Sequence, residues 1–117
     1  MKLIIDNYKN IKNSEPLTIT IGNFDGIHLA HQALLKKLSK YKDTKSGLVT
    51  FNPHPSKLFK VPNYQKLISL DDKIKIISNF NIDYMFIVEF DEEFSKLSVN
   101  EFINFLKNLN VKRVIIG

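Results

Sequence analysis

A run of strand-forming residues, Leu17 to Ile21, ends at a glycine, and a few positions later the chain restarts with the composition of a helix. The junction reads Ile21-Gly22-Asn23-Phe24-Asp25-Gly26-Ile27-His28-Leu29-Ala30-His31. Two folds compete for it. Asp25-Gly26 after an alternating strand is a strong hairpin signal, which would send the chain straight back antiparallel. The residues beyond argue for the other fold, because His28 to Leu38 is rich in Ala, Leu, Gln and Lys and lacks the period of two of a returning strand. A strand that feeds a helix pairs with the next strand through a crossover, so this junction predicts a parallel sheet flanked by helices.

The remaining pattern agrees. Gly47 to Phe51, Tyr84 to Val88 and Arg113 to Ile116 read as further strands, each β-branched or aromatic and bounded by polar residues or glycine. Between them lie amphipathic segments. Leu34, Leu35, Leu38 and Tyr41 share one stripe opposite Lys36, Lys37 and Lys40. Asp71 to Phe80 repeats the spacing with Ile74, Ile77 and Phe80. Ser98-Val99-Asn100-Glu101 is a capping box ahead of Phe102, Phe105, Leu106 and Leu109. Alternating strands and helices define an α/β chain with a doubly wound parallel sheet. The sequence carries no internal repeat, low-complexity tract or linker, only a Pro-rich loop from Asn52 to about Tyr64.

Size and charge narrow the function. A chain of 117 residues with 44% hydrophobic and 25% charged residues has the balance of one soluble globular domain. No apolar run approaches the ~20 residues that span a bilayer, and the apolar part of Met1 to Asp6 is too short for a secretory signal. The expected compartment is the cytoplasm, with no membrane partner. Zero cysteines exclude disulfides and thiolate metal sites. A net charge of +5 suits anionic ligands in general. Nucleic acid has only that charge behind it and is not expected as a partner, since lysines most often form a solvated face.

Ligands of open parallel sheets bind outside the carboxyl ends of the strands. The first of these strands delivers Gly22 to His31 to that edge. His28 and His31, three apart, share one helix face, beside the unpaired N–H groups and positive dipole end of the first turn. Glycines, a helix start and two imidazoles make a phosphate cradle. The next strand delivers Asn52-Pro53-His54-Pro55, so all 3 histidines are expected at one edge of the sheet. Plainer readings stand beside these. The histidine pair can be a surface pair or a metal pair with His54 as third ligand. Zinc pairs on a helix usually sit four apart, and no metal site is expected. Asp25 suits a helix cap as well as a ligand or magnesium contact, and Asn52 to Pro55 suits a rigid turn.

These residues also carry a family resemblance. Ile21 to His31 resembles the Gly-x-Phe-Asp-Gly-x-His-x-Gly-His signature of the adenylyltransferase domain of bacterial bifunctional riboflavin kinase/FAD synthetases, with Ala30 where that motif has glycine. Val49-Thr50-Phe51-Asn52-Pro53-His54-Pro55 is similar to the family's Thr-Phe-x-Pro-His-Pro segment. Leu70-Asp71-Asp72-Lys73 and Ile82-Asp83-Tyr84 resemble its Lys-containing helix and Gly-x-Asp strand. Phe90 to Phe102 resembles its Phe-Asp-x-x-Phe-x-x-Leu-Ser-x-x-x-Phe run, and the likeness extends from about Thr18 to Gly117.

The resemblance implies a Rossmann-like nucleotidylyltransferase (His-x-x-His) fold, incomplete, with residues 1–117 as a single partial domain. The family's later phosphate-gripping Ser/Thr and Arg motif and its riboflavin kinase barrel are expected to lie outside it. The implied reaction is transfer of AMP from ATP to FMN, with Mg2+, giving FAD and pyrophosphate. In that assignment His28 and His31 contact phosphates and are the catalytic pair, while Gly22, Asn23, Phe24, Asp25 and Gly26 complete the ATP cradle. Asn52, Pro53, His54 and Pro55 line the FMN side. The alternatives are a related transferase with another acceptor and a nucleotide-binding segment without turnover. A partial domain is further expected to expose apolar surface and to be prone to self-association.

Overall fold

Along each central strand the buried side chains alternate between two cores, because successive residues point to opposite faces of a sheet. In a computed structural model of the protein, which describes residues 1–24, 29–53 and 69–116 (29 and 30 by backbone alone), the elements run in this order. Strand β1 (Lys2–Asp6) is followed by a 3-10 turn (Tyr8–Asn10), β2 (Leu17–Ile21), α1 (Leu29–Leu38) and β3 (Lys45–Asn52). Then come α2 (Leu70–Ser78), β4 (Tyr84–Glu89), the short α3 (Glu92–Ser95), α4 (Val99–Asn108) and β5 (Val111–Val114).

The strands form one 5-stranded sheet in the order β1-β4-β3-β2-β5, and every pairing is parallel. The hairpin alternative at Asp25-Gly26 is thereby excluded for β2, whose neighbours on both sides run the same way. From β2 the chain steps through β3 to β4, then returns to place β5 on the far side of β2. Strand order therefore reverses between β2 and β5, and a crevice opens at the carboxyl ends of those two strands.

Leu17, Ile19, Val49, Tyr84, Phe86 and Val88 face one layer, packed against Phe94 of α3 and Phe105 of α4. Leu48, Met85 and Ile87 face the other, packed against Leu35 and Leu38 of α1 and Ile77 of α2. Each such side chain, fully buried, contributes about 1.5–3 kcal/mol. The helices hold their places by local chemistry. Ser98 and Glu101 form the expected capping box at the start of α4. Asn110, at φ 60°, takes the left-handed conformation just past its end.

Several expectations shift. β5 begins at Val111 rather than Arg113, because Asn110 ends α4 abruptly and the edge strand opens with the half-buried Val111 and the exposed Lys112. Its ladder continues past Val114, since Ile115 N–H donates to Ile19 at 2.8 Å. Tyr41 lies beyond the end of α1, which stops at Leu38. Strand β1 is an addition that periodicity did not signal. Only Ile4 of β1 packs on the core, while Leu3 and Ile5 are exposed, as are Val114 and Ile116 at the opposite edge. No described helix is long and apolar enough to cross a membrane.

Arg113 pins β5 in place. Its guanidinium donates to both carboxylate oxygens of Asp43 at 3.2 and 3.1 Å and to the Thr18 hydroxyl at 2.9 Å, and it lies 4.1 Å from the centre of the Tyr41 ring. The Arg113 hydrogen bond holds the Asp43 carboxyl below the ordinary carboxylate range. A depressed folded value stabilises the fold at pH above the unfolded value of about 3.9, and that contribution disappears as pH falls through the folded value. Asp43→Asn should therefore be less stable than the parent in urea titrations at neutral pH, with the difference vanishing on acidification; a difference that grows in acid would contradict the clamp.

Candidate functional site

The end of β2 is built to turn sharply. Gly22 still donates its N–H to Val49 at 3.1 Å, so the β2–β3 ladder runs one residue beyond the strand. Phe24 then adopts φ 53°, a left-handed conformation that costs a non-glycine residue about 1–2 kcal/mol. Strain of that kind persists only where surroundings impose it, and it concentrates at functional sites.

Those surroundings are visible. The Phe24 ring is buried at 5% exposure and lies 4.8 Å from the His31 ring, tilted by 49°. On its other side it rests on Gly22. A β-carbon built there would sit 2.9 Å from Phe24 Cε2 and 3.2 Å from Cδ2. At Gly22 the missing side chain thus makes room for an aromatic ring.

Behind the turn, the Asn23 carbonyl accepts a hydrogen bond from the Thr50 hydroxyl of β3 at 3.2 Å and another from the Lys73 ammonium of α2. Lys73 is 3% exposed, a depth that lysine rarely reaches. In front of the turn lies a cavity of about 360 Å³, lined among others by Thr20, Gly22, Asn23, Phe24, His31 and Ile116. It occupies the crevice between β2 and the end of β5. Thr20 Oγ1 and Asn23 Oδ1 are buried with no hydrogen-bond partner among the described residues, so they are polar atoms that a bound group can satisfy.

A larger cavity, about 470 Å³, lies at the opposite end of the sheet, beside Tyr41, Asp43, Ser46 and Asp83. Its acids are committed to the fold. Asp43 holds Arg113, Asp83 accepts from the Ser46 N–H and hydroxyl at 2.9 and 3.1 Å, and Glu15 accepts from the Tyr84 hydroxyl. Size alone therefore does not choose the site; unsatisfied polar atoms at a switch point do.

Of the residues singled out from sequence, Gly22, Asn23, Phe24 and His31 meet around the smaller cavity. Asn52 ends β3 at the same edge, accepting from Phe90 N–H at 3.1 Å, and its bond to Pro53 is cis. Asp25, Gly26, His28, His54 and Pro55 lie outside the described residues, so the expected meeting of all three histidines is tested only for His31. Among the described residues no group of three or more His, Cys, Asp or Glu is placed to hold a metal ion.

Sequence reasoning gave no role to Thr20 or Lys73. Lys73 did carry a signal, since it lies four positions before Ile77 on the inward stripe of α2, where a lysine is out of place. Thr20 carried less, a hydroxyl between two isoleucines of a buried strand.

A family model described as FAD synthetase matches residues 10–117. A bifunctional riboflavin kinase/FMN adenylyltransferase of Buchnera aphidicola subsp. Schizaphis graminum is 39% identical over 125 residues, spanning 100% of this chain and 39% of the relative. The protein of the same description from Escherichia coli K12 is 35% identical, spanning 88% of this chain and 35% of its own length. The chain thus spans about two fifths or less of the relatives it matches. A crystal structure from Streptococcus pneumoniae, described as a macrolide-efflux protein, superposes with a TM-score of 0.81 at 23% identity, covering 98% of this chain and 40% of that one. At that identity the likeness is one of fold.

Gly22→Ala should cost about 1–3 kcal/mol in urea denaturation, the usual penalty of overpacking. The same substitution in a Phe24→Ala background should cost much less, because the ring it strikes is gone. Equal penalties in the two backgrounds would mean that the Gly22–Phe24 contact does not set this turn.

Proposed function

The chain belongs to the FAD synthetase family, and on that premise we propose that it binds ATP at the carboxyl edge of its sheet and transfers the adenylyl group to the phosphate of FMN, giving FAD and pyrophosphate. The observation that carries the reading is the cavity between β2 and β5. There a strained, glycine-dependent turn, the His31 imidazole and two unsatisfied buried polar atoms converge at the position where open parallel sheets bind nucleotides.

The chemistry asks for placement more than for a base. A phosphate monoester is already an anion near neutral pH, so an FMN phosphate oxygen attacks the α-phosphorus of ATP unaided by proton removal. A new P–O bond forms, the bond from the α-phosphorus to the bridging oxygen breaks, and pyrophosphate leaves with that electron pair. The protein aligns the two phosphates and offsets the charge that gathers on the leaving group. His31, on the first turns of α1, is placed for the second task, and His28 shares it in this reading. Gly22, Asn23 and Phe24 shape the floor of the cradle, with Asp25 and Gly26 following them in sequence. Asn52 and Pro53, with His54 and Pro55 next in sequence, mark the acceptor side.

Magnesium enters this reading on the polyphosphate. Mg2+ usually keeps several waters and binds through substrate phosphates with one or two carboxylates, so it needs no protein cage. When bound, it supplies charge neutralisation on the phosphate oxygens.

The test is chromatographic detection of FAD after incubating the chain with FMN, ATP and magnesium, beside a His28→Ala/His31→Ala variant. FAD should form with the parent and fall by about 10²-fold or more in the variant, the scale lost with a transition-state donor. ATP binding without FAD would reduce the assignment to a nucleotide-binding segment, and equal FAD from both proteins would remove the histidines from the mechanism.

A further inference from the structure

The Asn23 carbonyl is held from behind by two donors that the reading above does not use, the Thr50 hydroxyl and the Lys73 ammonium. The only cis peptide bond among the described residues is Asn52–Pro53, so the Asn23–Phe24 peptide is trans, and its N–H points opposite to its carbonyl. With the oxygen drawn inward toward β3 and α2, the dipole of this peptide presents its N–H end to the other side. Asn23 and Phe24 both line the cavity, whereas Lys73 stands behind them. The peptide that Lys73 holds is also the one that leads into the left-handed Phe24. Released from its two donors, it is free to rotate, relax Phe24 and swing a carbonyl oxygen outward. A carbonyl aimed at an incoming polyphosphate repels it.

We propose that Lys73 is a positioning residue of the nucleotide site. Its buried ammonium, together with the Thr50 hydroxyl, locks the Asn23–Phe24 peptide with its oxygen inward, so that the turn offers N–H rather than C=O to the phosphates of ATP. This inference rests on the ATP-binding reading of the same cavity, and it adds a residue from α2, an element that does not line the cavity.

Isothermal titration of ATP into the chain tests it, with Lys73→Met, Thr50→Val and, as a charge-matched control on the same helix, Lys75→Met, whose side chain is exposed. Lys73→Met should raise the Kd for ATP about tenfold or more, the scale of a lost hydrogen bond from a charged donor. Lys75→Met should leave the affinity within about twofold, as expected for a distant exposed charge. A purely structural lysine would lower the urea midpoint while leaving the Kd of the folded protein at the parent value. Should Lys73→Met not fold, Thr50→Val is read in its place: weaker ATP binding at an unchanged urea midpoint supports the lock. Equal affinity of a folded Lys73→Met or Thr50→Val and a parent that binds ATP overturns this inference alone. A parent that binds no ATP overturns the underlying reading with it.

Discussion

A missing side chain at Gly22 is the constraint on which the rest of this site depends. Only because no β-carbon stands there can the Phe24 ring fold back against the end of β2 and pack beside His31. That packing offsets the cost of a left-handed phenylalanine at the end of β2. The same turn sets which backbone groups face the crevice between β2 and β5. Sheet topology supplies the crevice, the glycine supplies the turn, and the turn supplies the cradle.

Much of this was legible in the sequence. Strand β2 was read with the bounds it has, and the capping box of α4 is present with both of its hydrogen bonds. The choice of strand-to-helix junction over hairpin was right because helix-forming composition extends well past Asp25-Gly26, whereas the hairpin signal rests on two residues. Strand β1 escaped notice for a physical reason. As an edge strand it buries only Ile4 in part, so its side chains carry no alternation between core and water. The shift of β5 has a related cause: the apolar residues Val114 to Ile116 drew attention, while the strand begins at Val111 ahead of the exposed Lys112 and of Arg113, whose charge is held by Asp43.

The site was half legible. Gly22 and His31 were named from type and spacing and Asn23 and Phe24 from the family resemblance, and the structure gathers the four around one cavity. The left-handed phenylalanine was not foreseeable, since local sequence gives phenylalanine no preference for that region. Nor was the work of Lys73, although its place on the apolar stripe of α2 marked it as a cation with an inward address. Both depend on contacts between elements far apart in the chain, and periodicity reports only on neighbours.

The account turns on which end of the sheet receives the nucleotide, because the larger cavity lies at the wrong one. The direct measurement is a backbone amide NMR titration of the chain with ATP. Binding at the carboxyl edge predicts shifts concentrated at Thr20 to Phe24, His31 and Ile116. Shifts at Tyr41 to Ser46 and Asn81 to Asp83, with the Gly22 turn unmoved, would place the nucleotide at the amino ends of the strands and contradict it.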